Sequence, residues 1–415
     1  MDSLKILILC QHFYPELVST GQTLTELAET LRDMGVDVEV CCGPPTILKG
    51  SEKPPKDLTY HNIRIHRVWG TFFPKVSTMG KLVNQITYAI STFFYLLFRR
   101  VERPVLVVTN PPFLGFICAV LRKIKHLRFI YLIFDVYPDT AINLGVLKEG
   151  GLISNVWERS NRFVLKNSDA FIVIGRCMAD RIRKKLCDLD VEEMRMKQHI
   201  IHVWADDRNI QPLPEGTENI YRKRWNLEGK FVLGYSGNMG RFHDMETIAE
   251  AARELREYED IRFVFVGEGY KKKWLQTYVE TNRLTNCVID TYVPRKDLSL
   301  LLNAFDIGFV SLLPGQEGLS VPSKTFGLLA AGVPVIAIMN PNAEIAMVVK
   351  EESCGFVTPP GDSKALKSII LYCYTNRATL KTMKTNARKT VDEKYSLNKA
   401  AQAYVSLISE INNLK

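Results

Sequence analysis

The hydrophobic positions of the chain repeat one unit at the start of each half. An apolar run at 4–9 is followed by a loop and by a segment, 23–34, with apolar residues at helical spacing. Gly35 ends that helix, and residues 36–42 alternate as a second strand. The middle of the chain repeats the order with a strand at 231–235, a glycine loop, a helix and a strand from Ile261. Short strands that alternate with helices predict parallel sheets with helices on both faces.

Further strands of this kind complete both halves. They are predicted at 38–42, 63–68, 105–108, 128–133, 170–174 and 199–203, and again at 288–290, 307–310 and 335–338. We therefore predict an α/β fold of two doubly wound, Rossmann-like domains that face each other across a cleft. The first spans 1–207 and the second 217–392, with a proline-containing linker at 208–216 between them. A helix within 393–415 is expected to cross back to the first domain.

Composition favours a soluble protein with reduced thiols. Of the 415 residues, 46% are hydrophobic and 24% charged, and the nine cysteines form no CxxC pair. His199 and His202 lack further residues that would complete a metal site, so no metal is predicted. The N-terminus does not resemble a signal peptide, and the apolar stretch 85–98 is shorter than the roughly 20 residues that span a membrane. We expect a cytoplasmic protein.

The net charge of +9 is uneven along the chain. Residues 1–205 hold 27 Lys and Arg against 20 Asp and Glu, whereas the remainder holds 27 against 25. This excess fits anionic phosphates, an anionic membrane face or a solvated surface. No nucleic-acid motif accompanies it, so no nucleic-acid partner is predicted. The segment 81–103 combines apolar residues at helical spacing with three arginines, which is typical either of a helix at the inner membrane surface or of a helix packed on the sheet.

The loop after the strand at 231–235 reads SGNMGRFHD. Gly237 and Gly240 would let the backbone approach a ligand, and amides at a helix start suit a phosphate. Arg241 adds a cation, and His243 is expected either to contact phosphate or to donate within the protein. The alternative is a tight turn that ends in a helix cap, Asp244.

A second loop, which follows the strand at 307–310, places Ser323 and Lys324 near the start of another helix. Two such helix starts in one domain favour a diphosphate ligand. The turn TYVPRKDL lies where a nucleotide base would bind, and Val293 and Arg295 are its candidate contacts. Arg295 is otherwise a solvated turn residue.

Two loops of the first domain carry candidate acid–base groups. The loop HFYPELVSTGQT holds His12 and Glu16, and its residues Thr20 and Gly21 lead into a helix aimed at the cleft. His12 is otherwise a partly buried, hydrogen-bonded residue.

The loop FDVYPDTA holds two carboxylates, Asp135 and Asp139, after a buried strand. Either is placed to hold or help deprotonate a hydroxyl group of a bound substrate. The alternative is that Asp139 caps the next helix and Asp135 alone takes this role, and we rank Asp135 first.

Several ordered motifs together resemble the WbuB/WcaI-like branch of glycosyltransferase family 4. They are FDVYPDTAINLGVL, SGNMGRFHDMETIAEAA, VGEG, VPRKDL and EGLSVPSKTFGLLAAGVPVIA. The resemblance implies a GT-B fold, with the acceptor mainly in the first domain and a nucleotide-sugar mainly in the second. It also implies retention of anomeric configuration without a bound metal or other cofactor.

The resemblance also assigns donor contacts and shows where this chain departs from the family. The loop EGLS supplies Glu317, Gly318, Leu319 and Ser320. The second glutamate of the family's E-x7-E motif falls on Thr325 or Gly327, depending on the end from which it is counted, so the ribose contact stays unassigned.

The arginine and lysine that often hold the diphosphate in the family fall on Asn238 and His243. Arg241 and Lys324 are therefore expected to supply that charge.

The sequence thus predicts a retaining, metal-independent glycosyltransferase. It would use a nucleotide-sugar donor, UDP by default, and a glycan or polyprenyl-diphosphate-linked acceptor in surface polysaccharide assembly. The alternatives are a nucleotide-sugar epimerase of the same fold and a non-catalytic partner subunit. A dehydrogenase is disfavoured because no G-x-G-x-x-G follows either opening strand.

Overall fold

The computed structural model describes residues 4–16, 19–45, 55–73, 78–187, 190–214 and 216–413. These residues divide into two compact units. The first comprises residues up to His202 together with those from Leu397 onward, and the second comprises Val203–Ser396.

The first unit contains an eight-stranded sheet. Its strands are β1 (Lys5–Cys10), β2 (Asp37–Cys42), β3 (Asp57–Tyr60), β4 (Ile63–Arg67), β5 (Val105–Val108), β6 (Phe129–Ile133), β7 (Ala170–Val173) and β8 (Gln198–Ile200). Its helices are α1 (Ser19–Asp33), α2 (Thr78–Phe98), α3 (Leu114–Lys125), α4 (Asp139–Asn143), α5 (Leu152–Asn167), α6 (Arg176–Lys185), α7 (Val191–Lys197) and α16 (Leu397–Asn413). The strand order is β3-β4-β2-β1-β5-β6-β7-β8, and every pair is parallel except β3 with β4.

The second unit contains a six-stranded, fully parallel sheet. Its strands are β9 (Phe231–Ser236), β10 (Ile261–Val266), β11 (Cys287–Asp290), β12 (Ile307–Ser311), β13 (Val335–Ile338) and β14 (Gly355–Thr358). Its helices are α8 (Ile220–Arg224), α9 (Glu246–Glu254), α10 (Lys272–Thr281), α11 (Leu298–Leu302), α12 (Lys324–Ala330), α13 (Glu344–Glu351), α14 (Ser363–Thr375) and α15 (Arg377–Thr390). The order β11-β10-β9-β12-β13-β14 is that of a dinucleotide-binding fold, and it reverses between β9 and β12.

The central strands of both sheets are built from β-branched, leucine and aromatic residues that are buried along nearly the whole strand. The central strands β1, β6 and β12 have five consecutive buried positions each. Burial on both faces is what a parallel sheet covered by helices requires. The predicted α/β architecture of two doubly wound domains is therefore confirmed.

The sequence analysis did not predict two of the strands. The edge strand β3 is short and partly exposed, and it joins β4 through His61 and Asn62, which both have positive φ. A two-residue turn of this type is usually recognised in a sequence by Asn-Gly or Asp-Gly, and neither dipeptide is present here. The edge strand β14 is half-buried, so its pattern is weak.

The C-terminal helix α16 packs on α1 and β1 of the first unit. The Arg128 guanidinium donates to the Ile411 carbonyl at 2.7 Å, and the Asn412 amide donates to the Lys5 carbonyl at 3.3 Å. These bonds place α16 with the first unit, although the chain that leads to it comes from the second.

In the part of the chain that the structure describes, no helix is both long enough and apolar enough to cross a bilayer.

Candidate functional site

The glycine loop after β9 lies at the reversal point of the second sheet. Gly237 has φ of 130°, which side-chain-bearing residues rarely adopt, and Gly267 after β10 approaches it so closely that a Cβ would lie 2.0 Å from the Gly237 carbonyl oxygen. The amides of Gly237 and Met239 donate to the carbonyls of Val266 and Glu268 at 2.9 and 2.8 Å. These two amides therefore hold the loop in place and are not available to a ligand.

Other amides of the loop are available, although that of His243 donates to the Gly240 carbonyl at 3.2 Å. Within the described residues, the N–H groups of Asn238, Gly240 and Arg241 donate to no protein acceptor. The Asn238 side chain packs over Gly240 and Gly269, where a Cβ would approach its amide atoms to 2.9 and 2.6 Å. Glycine at those two positions is thus a steric requirement. The amides of Asn238, Gly240 and Arg241 can therefore serve the predicted phosphate contact.

Lys324, the first residue of α12, reaches back to this loop. Its ammonium group lies 4.0 Å from the centre of the Tyr235 ring, donates to the Tyr235 hydroxyl, and lies 3.3 Å from the Asn238 carbonyl oxygen. Burial lowers the pKa of Lys324 to about 7. Among the described residues no carboxylate pairs with this cation, so the site favours an anionic ligand that would supply the missing charge.

His243 is a second side chain in contact with Tyr235. Its Nδ1 is 2.8 Å from the Ser311 carbonyl oxygen at the end of β12, and its ring meets the Tyr235 ring edge-on at 6.2 Å. Burial, then the positive charge of Lys324, lowers the pKa of His243 to about 4. The ring is therefore neutral at pH 7 and joins β9 to β12.

Arg241 differs from Lys324 in its surroundings. Its side chain is exposed, and its guanidinium stacks on the Tyr270 ring at 4.3 Å. Arg241 is thus held at the solvent side of the loop by a cation–π contact. Lys324 is the desolvated cation of the site.

The loop after β12 contains residues of contrasting burial. Leu319 is 2% exposed and belongs to the core, which leaves its backbone as the part that a ligand could contact. Glu317 and Ser320 are half-buried, Gly318 has φ of 74°, and Ser323 is exposed immediately before α12.

Neither position for the family's second glutamate offers a free polar group. The Thr325 hydroxyl is buried and donates to the Pro322 carbonyl at 2.8 Å, and the other position, Gly327, has no side chain. The ribose contact stays unassigned.

The predicted base-binding turn is only partly engaged with the protein. Val293 is half-buried. The exposed Arg295 guanidinium lies 3.3 Å from the Asp206 carboxylate, near the start of the second unit. Arg295 therefore fits the alternative of a solvated turn residue, with an ion-pair partner.

In the first unit, His12 and Glu16 lie in the loop after β1. The His12 Nδ1 is 3.5 Å from a carboxylate oxygen of Glu16, which is 3% exposed. Thr20 and Gly21 lie in the first turn of α1 and not in the loop before it, because the helix begins earlier than its hydrophobic pattern indicates. Gly21 packs against the His12 backbone, where a Cβ would approach to 3.3 Å.

The two aspartates after β6 have different environments. Asp135 is half-buried, and burial raises the pKa of its carboxyl group to about 6. The Asp139 carboxylate is bound by Arg181 at 2.9 Å and by Lys185 at 2.7 Å, both from α6. Asp139 is the first residue of α4 rather than its cap, and its ion pairs give it a structural role in this arrangement. Asp135 is the carboxylate left for acceptor chemistry.

Comparisons with known proteins match both units. A glycosyl transferase 4-like domain matches residues 20–192, and a glycosyl transferases group 1 domain matches residues 217–390. The glycosyltransferase WbjE of Pseudomonas aeruginosa is 29% identical over 74% of this chain and 75% of its own. WcaI of Escherichia coli (strain K12), whose name assigns it to colanic acid biosynthesis, is 26% identical over 79% of this chain and 82% of its own. The chain is a family 4 glycosyltransferase.

A solved structure supports the fold of this glycosyltransferase. HepE of Anabaena in complex with UDP superposes with a TM-score of 0.72 at 14% identity, covering 98% of this chain and all of that one. Together with the strand order, this identifies the fold as that of the GT-B glycosyltransferases.

Sequence reasoning missed two aromatic residues of the glycosyltransferase's candidate site. Tyr235 lies near the end of β9 and was assigned no role in the sequence analysis, yet its hydroxyl donates to the Asn238 carbonyl at 2.7 Å and accepts from Lys324. Tyr270 follows the VGEG motif and stacks under Arg241. Both residues lie next to a glycine loop that follows a strand, and this position is the sequence signal that could have identified them.

The cap predicted at Asp244 is present in the structure. Its carboxylate accepts from the Thr247 amide at 3.0 Å and from the Gly361 amide at 3.2 Å.

Nowhere in the described ranges do three or more His, Cys, Asp or Glu side chains cluster closely enough to hold a metal ion.

Proposed function

We propose that this glycosyltransferase transfers a sugar, with retention of configuration, from a UDP-sugar to a glycan or polyprenyl-diphosphate-linked acceptor in surface polysaccharide assembly. The observation that carries the donor part is the Lys324 ammonium, desolvated at the reversal point of a dinucleotide-binding sheet and lacking a carboxylate in the described structure. UDP as the nucleotide is supported by the UDP complex of HepE. The assignment to polysaccharide assembly is supported by the name of WcaI.

The chemistry depends on the leaving group. Cleavage of the sugar–phosphate bond leaves negative charge on the nucleoside diphosphate and oxocarbenium character on the sugar. Lys324 and the amides of Asn238, Gly240 and Arg241 would stabilise that charge, an effect worth on the order of several kcal/mol in a preorganised site. Because the protein supplies this charge, the proposed reaction needs no metal, and chelation of divalent ions should leave the rate unchanged.

Retention would follow from attack on the face that the diphosphate leaves. The new glycosidic bond forms as the sugar–phosphate bond breaks, and the acceptor proton passes to an oxygen of the leaving diphosphate. In the first unit, Asp135 would accept a hydrogen bond from the acceptor hydroxyl as the acceptor binds, and the hydroxyl would turn its hydrogen to the diphosphate oxygen in the transfer step. With a pKa of about 6, the Asp135 carboxylate is mostly ionised at pH 7 and suited to this role.

A lipid-linked acceptor suggests contact with the inner membrane surface through α2. Hydrophobic residues at intervals of four face the solvent along this helix, namely Leu82, Ile86, Ile90, Phe94 and Phe98. The exposed aromatic residues Trp69, Phe72 and Phe73 precede it.

The basic residues after α2 contribute less to such a surface than the sequence indicates. Arg99 pairs with Glu39 at 2.6 Å, and Arg103 pairs with Asp37 at 3.2 Å. Arg100 is exposed and pairs with Glu102 at 3.0 Å. Membrane contact would therefore depend mainly on the apolar row.

Flotation with anionic liposomes tests this surface. Phe94→Ser together with Phe98→Ser should leave the protein in the bottom fraction, whereas Tyr258→Ser, which removes an exposed aromatic residue of the second unit, should float like the wild type. Equal flotation of all three proteins would exclude the α2 surface.

The donor is tested by a thermal-shift screen against UDP, GDP, ADP and dTDP sugars. A UDP-sugar in about 100-fold excess over its Kd should stabilise the protein by about 2.7 kcal/mol. Turnover with a polyprenyl-diphosphate glycan should then give a product with the donor's anomeric configuration, and inversion would contradict the proposal. Interconversion of UDP-sugars without acceptor would indicate the epimerase instead, and the absence of nucleotide binding would indicate the partner subunit.

A further inference from the structure

The hydrogen bonds of His243 fix which of its nitrogens carries the proton. A backbone carbonyl only accepts, so the 2.8 Å contact with the Ser311 carbonyl requires a proton on Nδ1. The surroundings of the ring favour its neutral form, because burial disfavours the charged ring and because Lys324 and, to a lesser extent, Lys271 repel a second proton. The neutral ring then has a lone pair on Nε2, and Nε2 has no partner within the described residues.

A lone pair on Nε2 selects among the groups of a nucleotide-sugar. Phosphate oxygens at neutral pH are acceptors and offer no hydrogen, whereas hydroxyl groups donate. Tyr235 contacts both His243 and Lys324, with the Lys324 ammonium 4.0 Å from its ring centre and the His243 ring centre at 6.2 Å. The groups of a nucleotide-sugar that flank a diphosphate on Lys324 are the hydroxyls of the sugar and of the ribose.

We infer that His243 accepts a hydrogen bond from a hydroxyl group of the bound nucleotide-sugar, on its sugar or its ribose, and does not bind the diphosphate. This rests on the proposed function, because it assumes a diphosphate on Lys324. It replaces the phosphate contact that the sequence analysis considered for His243. The residue thereby helps to select the donor, while Lys324 supplies the charge.

Calorimetric titration of the full chain with UDP-glucose, UDP and inorganic pyrophosphate tests the inference at pH 7.5. His243→Asn keeps an amide that can donate to the Ser311 carbonyl and removes the Nε2 acceptor. It should weaken UDP-glucose binding about tenfold, while the Kd of pyrophosphate stays within about twofold. If UDP weakens as well, the hydroxyl is on the ribose; if only UDP-glucose weakens, it is on the sugar. An equal loss for pyrophosphate would overturn the inference.

Two further measurements keep the outcome independent of folding and of the proposed function. In wild type labelled with ¹⁵N-histidine and bound to UDP-glucose, the His243 signals should show a protonated Nδ1 and an unprotonated Nε2. Protonation of both nitrogens would contradict the inference even if His243→Asn fails to fold. Lys324→Met should lose affinity for all three ligands. Failure of the wild type to bind any of them would count against the proposed function itself.

Discussion

Replacement of Lys324 by methionine should change stability and donor binding in opposite directions. The ammonium group is desolvated, and its pKa falls from the ordinary 10.5 to about 7. A lysine with a lowered pKa destabilises the fold below its unfolded pKa, and the penalty fades as pH rises from about 7 to 10.5. At about 1.36 kcal/mol per pKa unit, the upper bound on this penalty at pH 7 is about 4 kcal/mol.

The net gain on mutation is smaller than that bound. Methionine loses the cation–π contact with Tyr235 and the hydrogen bonds to its hydroxyl and to Asn238, together worth about 2 kcal/mol. We expect Lys324→Met to raise the free energy of unfolding at pH 7 by about 1–2 kcal/mol, and by less at pH 9. Urea denaturation at both pH values measures this change.

Donor binding should move the other way. A charge pair about 4 Å apart at an effective dielectric constant near 20 is worth about 4 kcal/mol, so UDP-sugar affinity should fall by about 10²–10³-fold. Lys350→Met, which removes an exposed lysine of α13, is the control and should alter neither quantity by more than about 0.5 kcal/mol. A Lys324→Met protein that binds the donor as tightly as wild type, or that is less stable at pH 7, would refute the reasoning.

Three other substitutions separate the roles of neighbouring groups. Asp135→Asn should lower kcat by about 10²-fold or more at unchanged donor Kd, and wild-type kcat/KM should fall as pH drops through about 6, because the ionised carboxylate is required; a flat profile from pH 5 to 8 would contradict this. Asp139→Ala should cost about 1–2 kcal/mol of stability, measured by denaturation, by removing the half-buried carboxylate that Arg181 and Lys185 share, with donor Kd unchanged. Gly237→Ala should weaken donor binding measured by calorimetry, because its Cβ would lie 3.3 Å from the Lys324 side chain. Gly229 also has a positive φ, but a Cβ there would meet open space, so Gly229→Ala should cost only stability. Equal donor affinity of the two alanine variants would argue against that contact.

The sequence predicted the loops of the candidate donor site because their chemistry is local. A glycine loop after a strand and a lysine at a helix start are visible in a few consecutive residues, and both Gly237 and Lys324 lie where the pattern predicts. The parallel sheets bring these loops together, since residues that follow neighbouring strands share one edge.

The electrostatics of the site could not be predicted in the same way. The pKa of Lys324 depends on burial, and its ring contact, Tyr235, is far away in the chain and looks like any core tyrosine. Arg295 and Asp139 also have partners that are distant in sequence. Arg295 pairs with Asp206, and Asp139 pairs with two cations of α6. Such pairings are properties of the fold and leave no local pattern.

A structure of the protein with a bound UDP-sugar tests the central claim most directly. The account predicts the diphosphate within hydrogen-bond distance of the Lys324 Nζ and of the Asn238 and Gly240 amides. Another cavity of the second unit, of about 1080 Å³ and lined by Arg222, Lys384 and Arg388, lies next to Phe305 and Val333, which precede β12 and β13. A diphosphate bound there, at the opposite edge of the sheet and away from Lys324, would contradict the account.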